Sequence, residues 1–352
     1  MMNKYSPYKI VLHKAKLKSL MDKKVTAPLY VRIKPTNRCN HNCFFCIYNE
    51  SYGNMHGTMV KRDELSREKL LEILDDFKKI KVKAVTYSGG GEPLIHPNIE
   101  EVMKKTLDNG IDLSIITNGQ KLNEERAELL SRAKWVRISM DYADAEGFKI
   151  SQRGSARMFD EIIQNIQNFT SKPHECDIEV NFIITKESHS KIEKATQLLK
   201  ELGVDNIRFS PVWIKDVEDY HEYIKRYVIN LIPELKKQYE TKKFKVYSSY
   251  SEHSVSKEAM HRPYTTCPFM QIVPVIGADY KVYNCHNQAY SKNGVIGSIE
   301  HQKFSKLWFS KETADYFQKF NPQISCEGIQ CAADSKNIFM NDLLNTSPDN
   351  FI

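Results

Sequence analysis

Three cysteines lie within eight residues near the start of the chain, in the run Cys39-Asn-His-Asn-Cys43-Phe-Phe-Cys46. A loop this tight can bring its three thiolates to three irons of one cubic four-iron cluster. The fourth iron would then have no protein ligand and could bind a different molecule. A metal site built only for structure normally has every position filled by protein. The spacing therefore predicts a loop folded around a cluster that takes part in chemistry.

Zinc is the alternative metal for the same thiolates. Structural zinc sites are tetrahedral and have four ligands, often supplied by paired Cys-x2-Cys elements. His41 is the nearby candidate for a fourth ligand, but it lies inside the loop, where the geometry is unfavourable. The spacing favours the iron–sulfur cluster and keeps zinc as the alternative.

The composition is that of a globular chain. Its 352 residues are 41% hydrophobic and 27% charged, enough for roughly two domains. No apolar run reaches the ~18 residues that span a bilayer, and basic residues 1–24 lack the apolar core of a secretory signal. The net charge of +7 comes without an aromatic and basic recognition motif, so neither a membrane nor a nucleic acid is an expected partner. We expect a cytoplasmic protein whose cysteines are metal ligands or buried thiols rather than disulfides.

From residue 28 onward, short apolar segments alternate with amphipathic helical segments. The alternation predicts parallel βα units, and the right-handed crossover rule then favours a barrel-like or doubly wound sheet. The six predicted strands span residues 29–33, 82–87, 112–116, 135–140, 178–185 and 206–209. The predicted helices span residues 67–80, 98–109, 123–132, 159–169 and 191–202.

Polar motifs follow the ends of these predicted strands. The cysteine loop follows the first strand, and residues 88–93 (Ser-Gly-Gly-Gly-Glu-Pro) follow the second. Residues 117–119 (Thr-Asn-Gly) follow the third strand, and residues 139–141 (Ser-Met-Asp) close the fourth. In βα barrels the carboxyl ends of the strands carry the active site. We therefore expect a functional site at this edge of the sheet.

The cysteine loop, read with Thr36 and Asn40, resembles the cluster-binding motif of radical S-adenosylmethionine (radical SAM) enzymes. The resemblance covers about residues 28–212 and implies a partial (β/α)6 TIM-like barrel. It also implies that Cys39, Cys43 and Cys46 hold a 4Fe-4S cluster whose open iron binds SAM. The other residues that match SAM-binding positions of the family are Phe45, Gly90, Gly91, Glu92, Ser139, Asp141 and Arg153.

The resemblance assigns each of these residues to a part of SAM. Phe45 would pack near the adenine. Residues 90–92 match the Gly-Gly-Glu motif that faces the ammonium group, since glycine permits close backbone approach and a carboxylate accepts hydrogen bonds from an ammonium. Ser139 and Asp141 would contact the ribose. Arg153, in an Arg-Gly pair, would bind the SAM carboxylate.

Four further cysteines follow in the last third of the chain, Cys267, Cys285, Cys326 and Cys331. They resemble the ligands of the Twitch and SPASM domains that follow some radical SAM barrels and hold auxiliary 4Fe-4S clusters. Four thiolates would close one cube completely, which suits electron transfer or structural support. The longer cysteine run of a full SPASM domain is missing, which implies a small α+β Twitch-like domain with one cluster. A structural zinc site is the alternative. The eighth cysteine, Cys176, is expected to be a buried thiol.

The same reasoning divides the chain into four regions. The predicted regions are an N-terminal extension (1–27), the partial barrel (28–212), a helical linker (213–258) and the Twitch-like domain (259–352). Within the last region, residues 271–274 and 281–283 are predicted strands, and residues 304–317 are predicted to be helical.

The resemblance implies an enzyme that reductively cleaves SAM to a 5′-deoxyadenosyl radical, which then takes hydrogen from a substrate. The 38 residues before Cys39 leave no room for an N-terminal peptide-recognition domain, which favours a small molecule, sugar-like or nucleotide-linked. If the second cluster accepts an electron, the reaction is an oxidation. A flavodoxin or ferredoxin is the expected electron donor. The alternatives are a peptide maturase that acts with a separate recognition protein and, more distantly, a non-catalytic zinc-binding module.

Overall fold

The computed structural model describes residues 5–48, 58–214 and 216–346, so the extreme ends of the predicted first and last regions lie outside it. In these residues, ten strands form one sheet in the order β10-β9-β8-β1-β2-β3-β4-β5-β6-β7. The strands are β1 (Tyr30–Ile33), β2 (Ala84–Tyr87), β3 (Asp112–Thr117), β4 (Trp135–Ser139), β5 (Asp177–Ile184), β6 (Asn206–Pro211), β7 (Lys245–Ser248), β8 (Val275–Ile276), β9 (Lys281–Tyr283) and β10 (Val295–Ser298).

Helices connect most neighbouring strands of the first part of the sheet. The helices of the described residues are α1 (Lys14–Met21), α2 (Arg67–Ile80), α3 (Ile99–Asp108), α4 (Glu124–Ser131), α5 (Ala145–Gln152), α6 (Ala156–Thr170), α7 (Ile192–Glu201), α8 (Val217–His221), α9 (Lys225–Tyr239), α10 (Phe304–Trp308), α11 (Lys311–Lys319), α12 (Pro322–Ser325) and α13 (Asp334–Asn345).

Neighbouring strands from β1 to β7 are all parallel. Lys336 on α13 lies within electrostatic reach of both Arg32 on β1 and Arg208 on β6, two strands that are separated by four others. The sheet is therefore curved rather than flat. Parallel strands, connecting helices and this curvature confirm the predicted α/β class and the partial barrel. The short strands β8 to β10, with the helices after them, form the smaller C-terminal part.

The strands have one apolar, buried face and one more polar, partly exposed face. On β4, Val136 and Ile138 are fully buried, whereas Arg137 and Ser139 between and after them are partly exposed. A strand presents alternate side chains to opposite faces of the sheet. The apolar face packs against the helices, and the polar face lines the concave side of the barrel. We call this concave side, lined by residues such as Arg32, Arg137, Ser139 and Arg208, the lumen.

The parallel sheet continues one strand further than predicted. The segment at 213–258, predicted to be a helical linker, contains α8 and α9, but it also contains β7, which pairs with β6. Val246 is the buried apolar residue of this four-residue strand. Together with Phe244, which is also buried, it gives a short alternating pattern around Lys245 that the prediction of a helical linker overlooked.

The strand predicted at 271–274 begins later than expected. Residues Pro268–Gln271 form a 3-10 helix, and β8 covers Val275–Ile276. The chain nevertheless runs alongside β1 over part of this gap, because Ile272 O accepts from Tyr30 N (3.2 Å) and Pro274 O accepts from Arg32 N (3.0 Å). Pro274 has no N–H to donate, so a regular ladder begins only after it.

The two ends of the described chain pack together. Ile10 and Leu20 near the N-terminus form a small apolar cluster with Ile272, Val273 and Met340 of the C-terminal part. This contact holds α13 next to the barrel, where Lys336 on this helix reaches the lumen residues Arg32 and Arg208. No helix in the described residues has both the length and the apolar content needed to cross a membrane.

Candidate functional site

The cysteine loop directly follows β1 and lies at the carboxyl edge of the sheet. Cys39 is exposed, whereas Cys43 and Cys46 are partly buried. Cys46 N donates to Cys43 O (3.3 Å), which makes a tight turn. Burial raises the pKa of the Cys43 thiol well above its usual range. The nearby charges that raise it further are those of Cys46, Asp141 and Cys39. The three sulfurs therefore lie in one another's electrostatic field, as the ligands of one cluster must.

The loop after β3 holds one side of the cysteine loop. Asn118 Nδ2 donates to Asn40 Oδ1 (2.9 Å), and Asn40 Nδ2 donates to Gln120 Oε1 (2.8 Å). His41 Nε2 lies 3.0 Å from the same Gln120 oxygen, and His41 Nδ1 lies 2.9 Å from Gln152 Oε1. Both ring nitrogens of His41 thus face side-chain amides. The histidine anchors the loop, which weakens its case as a fourth zinc ligand.

The end of α5 holds the other side of the loop. Gln152 is buried, and its Oε1 accepts a hydrogen bond from the Cys43 thiol (2.7 Å). Its Nε2 donates to Asp141 Oδ2 (3.3 Å). Two backbone bonds reinforce the contact, from Asn42 N to Gln152 O (3.2 Å) and from Phe44 N to Ser151 O (3.2 Å). Gln152 therefore connects Cys43, the loop backbone and a buried carboxyl group.

The glycine turn after β2 packs directly on the backbone that leads into the cysteine loop. Gly91 N donates to Thr36 O (3.1 Å), and Glu92 N donates to Arg38 O (2.8 Å). A Cβ on Gly91 would lie 1.7 Å from Arg38 O, and a Cβ on Gly90 would lie 2.0 Å from Asn37 Oδ1. Residues with side chains could not pack this closely. Close packing within the chain thus requires glycine at positions 90 and 91, in addition to the predicted approach of SAM.

Glu92 is buried and accepts hydrogen bonds from three donors of the chain. Its Oε1 accepts from Leu94 N (2.9 Å) and Thr117 Oγ1 (2.7 Å), and its Oε2 accepts from Asn118 N (2.7 Å). Burial raises its pKa to about 7, against the lowering effect of these bonds. The carboxyl group therefore joins the loop after β2 to the loop after β3. Its predicted contact with the SAM ammonium group stays a prediction.

Asp141 follows β4 and is also buried. Its two oxygens accept hydrogen bonds from Ile183 N and from Gln152 Nε2. Burial raises the pKa of Asp141 to about 7. Asp141 thus joins the ends of β4, β5 and α5. Ser139, at the end of β4, is partly exposed on the lumen side.

The remaining predicted SAM residues lie around the cysteine loop and α5. Phe45 is partly buried and makes an edge-to-face contact with Phe44, with ring centroids 5.2 Å apart. Arg153 is exposed and has a left-handed backbone (φ 54°) at the end of α5. A Cβ on Gly154 would lie 2.2 Å from the Phe148 ring, which explains glycine after this arginine. The exposed guanidinium is available to a ligand, and its pairing with the SAM carboxylate stays a prediction.

One polar atom at the carboxyl edge fits a site for a ligand. Ser88 Oγ, immediately before the glycine turn, is buried and has no hydrogen-bond partner in the part of the chain that the structure describes. An unsatisfied buried hydroxyl costs free energy unless a ligand or water pairs with it. The serine therefore suits a bound polar molecule next to residues 89–91.

A buried lysine lies directly below this edge. Lys34 follows β1, and its Nζ donates to Tyr48 OH (2.8 Å) and to Gly89 O (2.6 Å). The ammonium group also lies 4.9 Å from the Tyr48 ring centroid and 5.6 Å from that of Tyr290. Burial lowers the pKa of Lys34 to about 7. The tyrosines stabilise a cation that has lost its water.

The second group of cysteines converges in the C-terminal part. The pKa of the Cys285 thiol is raised well above its usual range, first by burial. The charges that raise it further are those of Cys331, Cys267 and Cys326. Although these residues are far apart in sequence, their sulfurs thus occupy one region. Four converging thiols are the ligand set of a closed 4Fe-4S cluster.

Donors around the second group suit thiolates. Asn337 Nδ2 donates to Cys267 Sγ (3.4 Å), and Gln288 Nε2 donates to Cys326 Sγ (3.5 Å). Arg262, whose side chain is buried, pairs with Asp334 (2.8 Å) and lowers the pKa values of Cys326 and Cys331 against the effect of burial. Amide donors and a buried cation stabilise negative sulfur, so these residues fit a thiolate-bound group.

No three or more His, Cys, Asp or Glu side chains of the described residues are placed to chelate one metal ion. That arrangement is the one a zinc ion would require. A four-iron cube instead binds each thiolate at a different iron, so its ligands are spread around the cluster.

The sequence analysis missed several residues of this site. Only Lys34 had a signal, as a charged residue that ends an apolar strand shortly before the cysteine loop. Gln120 and Gln152 lie within ordinary helical and turn segments, and only the fold brings them to residues 40–43. The same holds for Gln288 and Asn337 beside the second group.

A family profile described as the radical SAM superfamily matches residues 33–228, more than half of the chain. The matched range contains the cysteine loop, the glycine turn and the strand ends described above. It ends before the second group of cysteines begins.

Known proteins resemble the chain at low identity. A "tungsten-containing aldehyde ferredoxin oxidoreductase cofactor-modifying protein" of Pyrococcus furiosus is 23% identical over 301 residues, 80% of this chain and 81% of that protein. A probable GTP 3′,8-cyclase of Halobacterium salinarum is 31% identical over 140 residues, 39% of this chain and 38% of that protein. The cyclase match thus spans well under two thirds of its relative.

Solved structures show the same fold. The crystal structure of Streptococcus suis SuiB bound to S-adenosylmethionine has a TM-score of 0.66 at 17% identity, covering 99% of this chain and 82% of that chain. Another structure of SuiB is bound to the precursor peptide SuiA, with a TM-score of 0.63 at 15% identity and coverage of 100% and 81%. At this identity the likeness concerns the fold alone. Since the family profile covers more than half of the chain and the fold agrees with it, the chain belongs to the radical SAM superfamily.

Proposed function

We propose that this chain uses a 4Fe-4S cluster at Cys39, Cys43 and Cys46 to cleave SAM reductively and to take a hydrogen atom from a small-molecule substrate in the lumen. When bound, that cluster supplies the electron that splits SAM into methionine and a 5′-deoxyadenosyl radical. Membership of the radical SAM superfamily supports a requirement for SAM and for a 4Fe-4S cluster. The roles assigned to individual residues are part of this proposal.

The observation that carries the proposal is the network that joins three strand-end loops. Asn118 donates from its backbone N to Glu92 and from its Nδ2 to Asn40. One residue after β3 therefore fixes both the glycine turn after β2 and the cysteine loop after β1. Bonds of this kind hold cofactor-binding groups in place before the ligand arrives. A loop that served structure alone would not need the carboxyl edges of three strands.

The chain's own residues position the two reactants. The backbone oxygens of residues 89–91 and the Ser88 hydroxyl supply polar contacts for SAM, and Ser139 and Arg153 supply further ones for the ribose and the carboxylate. Glu92 and Asp141 would accept hydrogen bonds from the SAM ammonium group and the ribose with the lone pairs that their bonds to the chain leave free. The lumen holds the substrate near the open side of the cluster and limits the access of water.

The auxiliary site would hold a second 4Fe-4S cluster at Cys267, Cys285, Cys326 and Cys331. Tyr48 supports its placement near the first site, because the charges of both Cys46 and Cys285 raise the pKa of that tyrosine, after the larger effect of burial. One side chain is thus within electrostatic reach of both cysteine groups. In this proposal the second cluster accepts an electron from the substrate, so the outcome is oxidation. A flavodoxin or ferredoxin would reduce the first cluster.

A peptide maturase is the second candidate. The SuiB structure with its precursor peptide has the same fold over the whole chain, which is the observation that favours it. A short precursor-peptide gene beside the gene for this chain, together with modification of that peptide in vitro, would support the maturase. Absence of modification, with turnover of a small molecule, would support the first proposal.

Metal analysis tests the cluster assignment. Anaerobically reconstituted protein should contain about eight irons per chain, from two cubes. Cys285→Ala should lower the iron content by about half, whereas Cys176→Ala, which removes a buried thiol outside both groups, should not change it. Stoichiometric zinc without iron, or full iron content in Cys285→Ala, would contradict the assignment.

A further inference from the structure

A row of lumen residues connects the predicted SAM site to an arginine on β6. In the sheet register, Ser139 on β4 is paired with Asn181 on β5, and Asn181 is paired with Arg208 on β6. Arg208 is in turn paired with Tyr247 on β7. Paired residues of neighbouring strands point to the same face of the sheet. Arg208 therefore lies on the lumen side, two strands away from the residue predicted to contact the SAM ribose.

Two more cations lie near Arg208. Arg32 lies on the lumen side of β1, and Lys336 lies on α13, which packs beside the barrel. We call Arg32, Arg208 and Lys336 the lumen cations. Each of them contacts an aromatic side chain: Arg32 Nε donates to Tyr30 OH (2.8 Å), Arg208 lies 4.5 Å from the Tyr5 ring centroid, and Lys336 Nζ lies 5.4 Å from that of Phe269.

The lumen cations have no carboxylate partner in the described residues. None of the three is within ion-pair distance of an Asp or Glu there, although all three are partly buried. The charge of Glu179 acts on Arg208, but its Oε1 binds Arg137 and its Oε2 accepts from Tyr5 OH (2.8 Å). Both oxygens of Glu179 are thus bonded to residues other than the lumen cations.

Like charges act on Lys336. Its pKa is lowered to about 8, first by burial and then by the charges of Arg32, Arg208 and Lys9, while the charge of Cys331 opposes the shift. The pKa of Arg208 is lowered as well, first by burial and then by Arg137, although Tyr5 and Glu179 act in the opposite direction. Like charges that are partly buried together destabilise a folded chain unless an anion joins them. An anion that enters the lumen would remove this cost.

We propose that Arg32, Arg208 and Lys336 bind a phosphate group of the substrate in the lumen. The proposal rests on the proposed function, because it takes the lumen to be the substrate chamber. Planar guanidinium groups match the oxygens of a phosphate in pairs, and an ammonium adds a third positive contact. Three cations without a carboxylate suit a doubly charged phosphate better than a singly charged carboxylate. The substrate class is therefore a phosphorylated small molecule, which includes nucleotides.

Calorimetric titration of inorganic phosphate into the reconstituted, unreduced, SAM-saturated protein tests this inference. Phosphate should bind the parent protein and should bind Arg208→Gln and Lys336→Met at least tenfold more weakly. Matched controls are Arg226→Gln and Lys319→Met, which change exposed residues and should bind phosphate like the parent. Acetate at equal concentration should bind much more weakly than phosphate. Equal phosphate affinity in all five proteins, or no binding to the parent, would overturn the inference.

Two further outcomes would also overturn it. If acetate binds as well as phosphate, the site takes a carboxylate, as a peptide would provide. If phosphate binds only without SAM, the lumen cations bind the SAM carboxylate instead. Because no reduction is involved, the titration is independent of SAM cleavage. Cleavage without phosphate binding would overturn this inference alone, and phosphate binding without cleavage would overturn the proposed function alone.

A melting experiment separates binding from a structural role. In phosphate-free buffer, Lys336→Met should raise the melting temperature, because it removes a repelled charge and keeps the packing against Phe269. Added phosphate should raise the melting temperature of the parent but not of this variant. A lysine that only supported the fold would give a lower melting temperature when replaced, and that result would contradict the proposal.

Discussion

The thiol of Cys43 donates a hydrogen bond to Gln152 Oε1 over 2.7 Å, across 109 residues of sequence. Once Cys43 binds iron, its sulfur is a thiolate and can only accept. The same amide can turn its Nε2 toward the sulfur when Asp141 is protonated, because the turn brings Gln152 Oε1 to the place where Nε2 now donates to Asp141 Oδ2. Gln152 would thus support the loop before the cluster is inserted and would stabilise the negative sulfur afterwards.

Replacement of Gln152 by leucine should therefore disturb the first cluster. Hydrogen bonds to cluster sulfurs tune the reduction potential, and groups that orient metal ligands typically contribute about tenfold or more to affinity or activity. We expect Gln152→Leu to shift the reduction potential of the first cluster and to slow SAM cleavage about tenfold. Redox titration followed by electron paramagnetic resonance measures the shift. Gln164→Leu, on the exposed face of α6, is the control, and identical potentials in the two variants would contradict this role.

Removal of the carboxylate from Glu179 should destabilise the barrel. Glu179 pairs with Arg137, and both side chains are mostly buried (3% and 17% exposed). A buried cation left without its partner costs about 3 kcal/mol or more of folding free energy. We expect Glu179→Gln to lower the free energy of unfolding by about 3 kcal/mol, measured by urea denaturation followed by circular dichroism.

The control for Glu179 is an exposed ion pair of similar chemistry. Arg157 and Glu161 lie 3.2 Å apart on α6, with exposures of 88% and 41%. Exposed pairs contribute under ~1 kcal/mol. Glu161→Gln should therefore have a small effect, and equal effects of the two substitutions would show that burial of the Arg137 pair does not matter.

Stability should depend on pH through Lys34. The pKa of Lys34 is lowered from 10.5 to about 7, first by burial. Between these pH values the unfolded chain holds the proton and the folded chain does not, so stability should rise as pH rises through this window. Below about pH 7 both states are protonated, and the contribution is constant at its least favourable value. The charged or titratable groups that face the ammonium are Arg32, Tyr48, Tyr290, Cys46 and Asp279.

Melting temperatures of the reconstituted protein between pH 7 and 9.5 measure this dependence. The parent protein should gain stability across the window, and Lys34→Met should gain less because it has no proton to lose. Lys172→Met, at an exposed lysine, should follow the parent. If the curves of the parent and Lys34→Met are parallel, Lys34 is charged throughout and the reasoning from its burial is wrong.

A methyl group on Gly91 should displace the cysteine loop. Its Cβ would lie 1.7 Å from Arg38 O, so the two backbone bonds between the glycine turn and residues 36–38 could not form as they do now. We expect Gly91→Ala to lose most of the iron of the first cluster on reconstitution, measured by iron content and electron paramagnetic resonance. Gly147→Ala, whose Cβ would meet its nearest atoms at 3.3 Å, should retain iron. Full iron retention in Gly91→Ala would refute the tight contact.

The sequence predicted those elements whose signals are local. The helix at 67–80 is found at Arg67–Ile80, because Ser66 caps its first turn and Lys81 ends it with a left-handed backbone (φ 64°). The six barrel strands were predicted to within about two residues, since each has its own apolar run between turns. Signals of this kind need no knowledge of distant residues.

The parts that were not predicted depend on the whole fold. β7 is short, its alternating signal is limited to Phe244 and Val246, and it is completed by pairing with β6. Gln152, Gln120 and Asn337 are ordinary residues in sequence, and they meet the cysteines only after the strands and helices assemble. The lumen cations could not be predicted from the sequence either. Arg32, Arg208 and Lys336 come from three distant segments that one curved sheet and one helix bring together.

Reductive cleavage of SAM tests the central claim most directly. Anaerobically reconstituted protein with SAM and dithionite should form 5′-deoxyadenosine, Cys43→Ala should form none, and Cys176→Ala should behave like the parent. Cys285→Ala should still cleave SAM, because the auxiliary cysteines do not bind the first cluster. Continued formation of 5′-deoxyadenosine in Cys43→Ala, or none in the parent with its full iron content, would contradict the account.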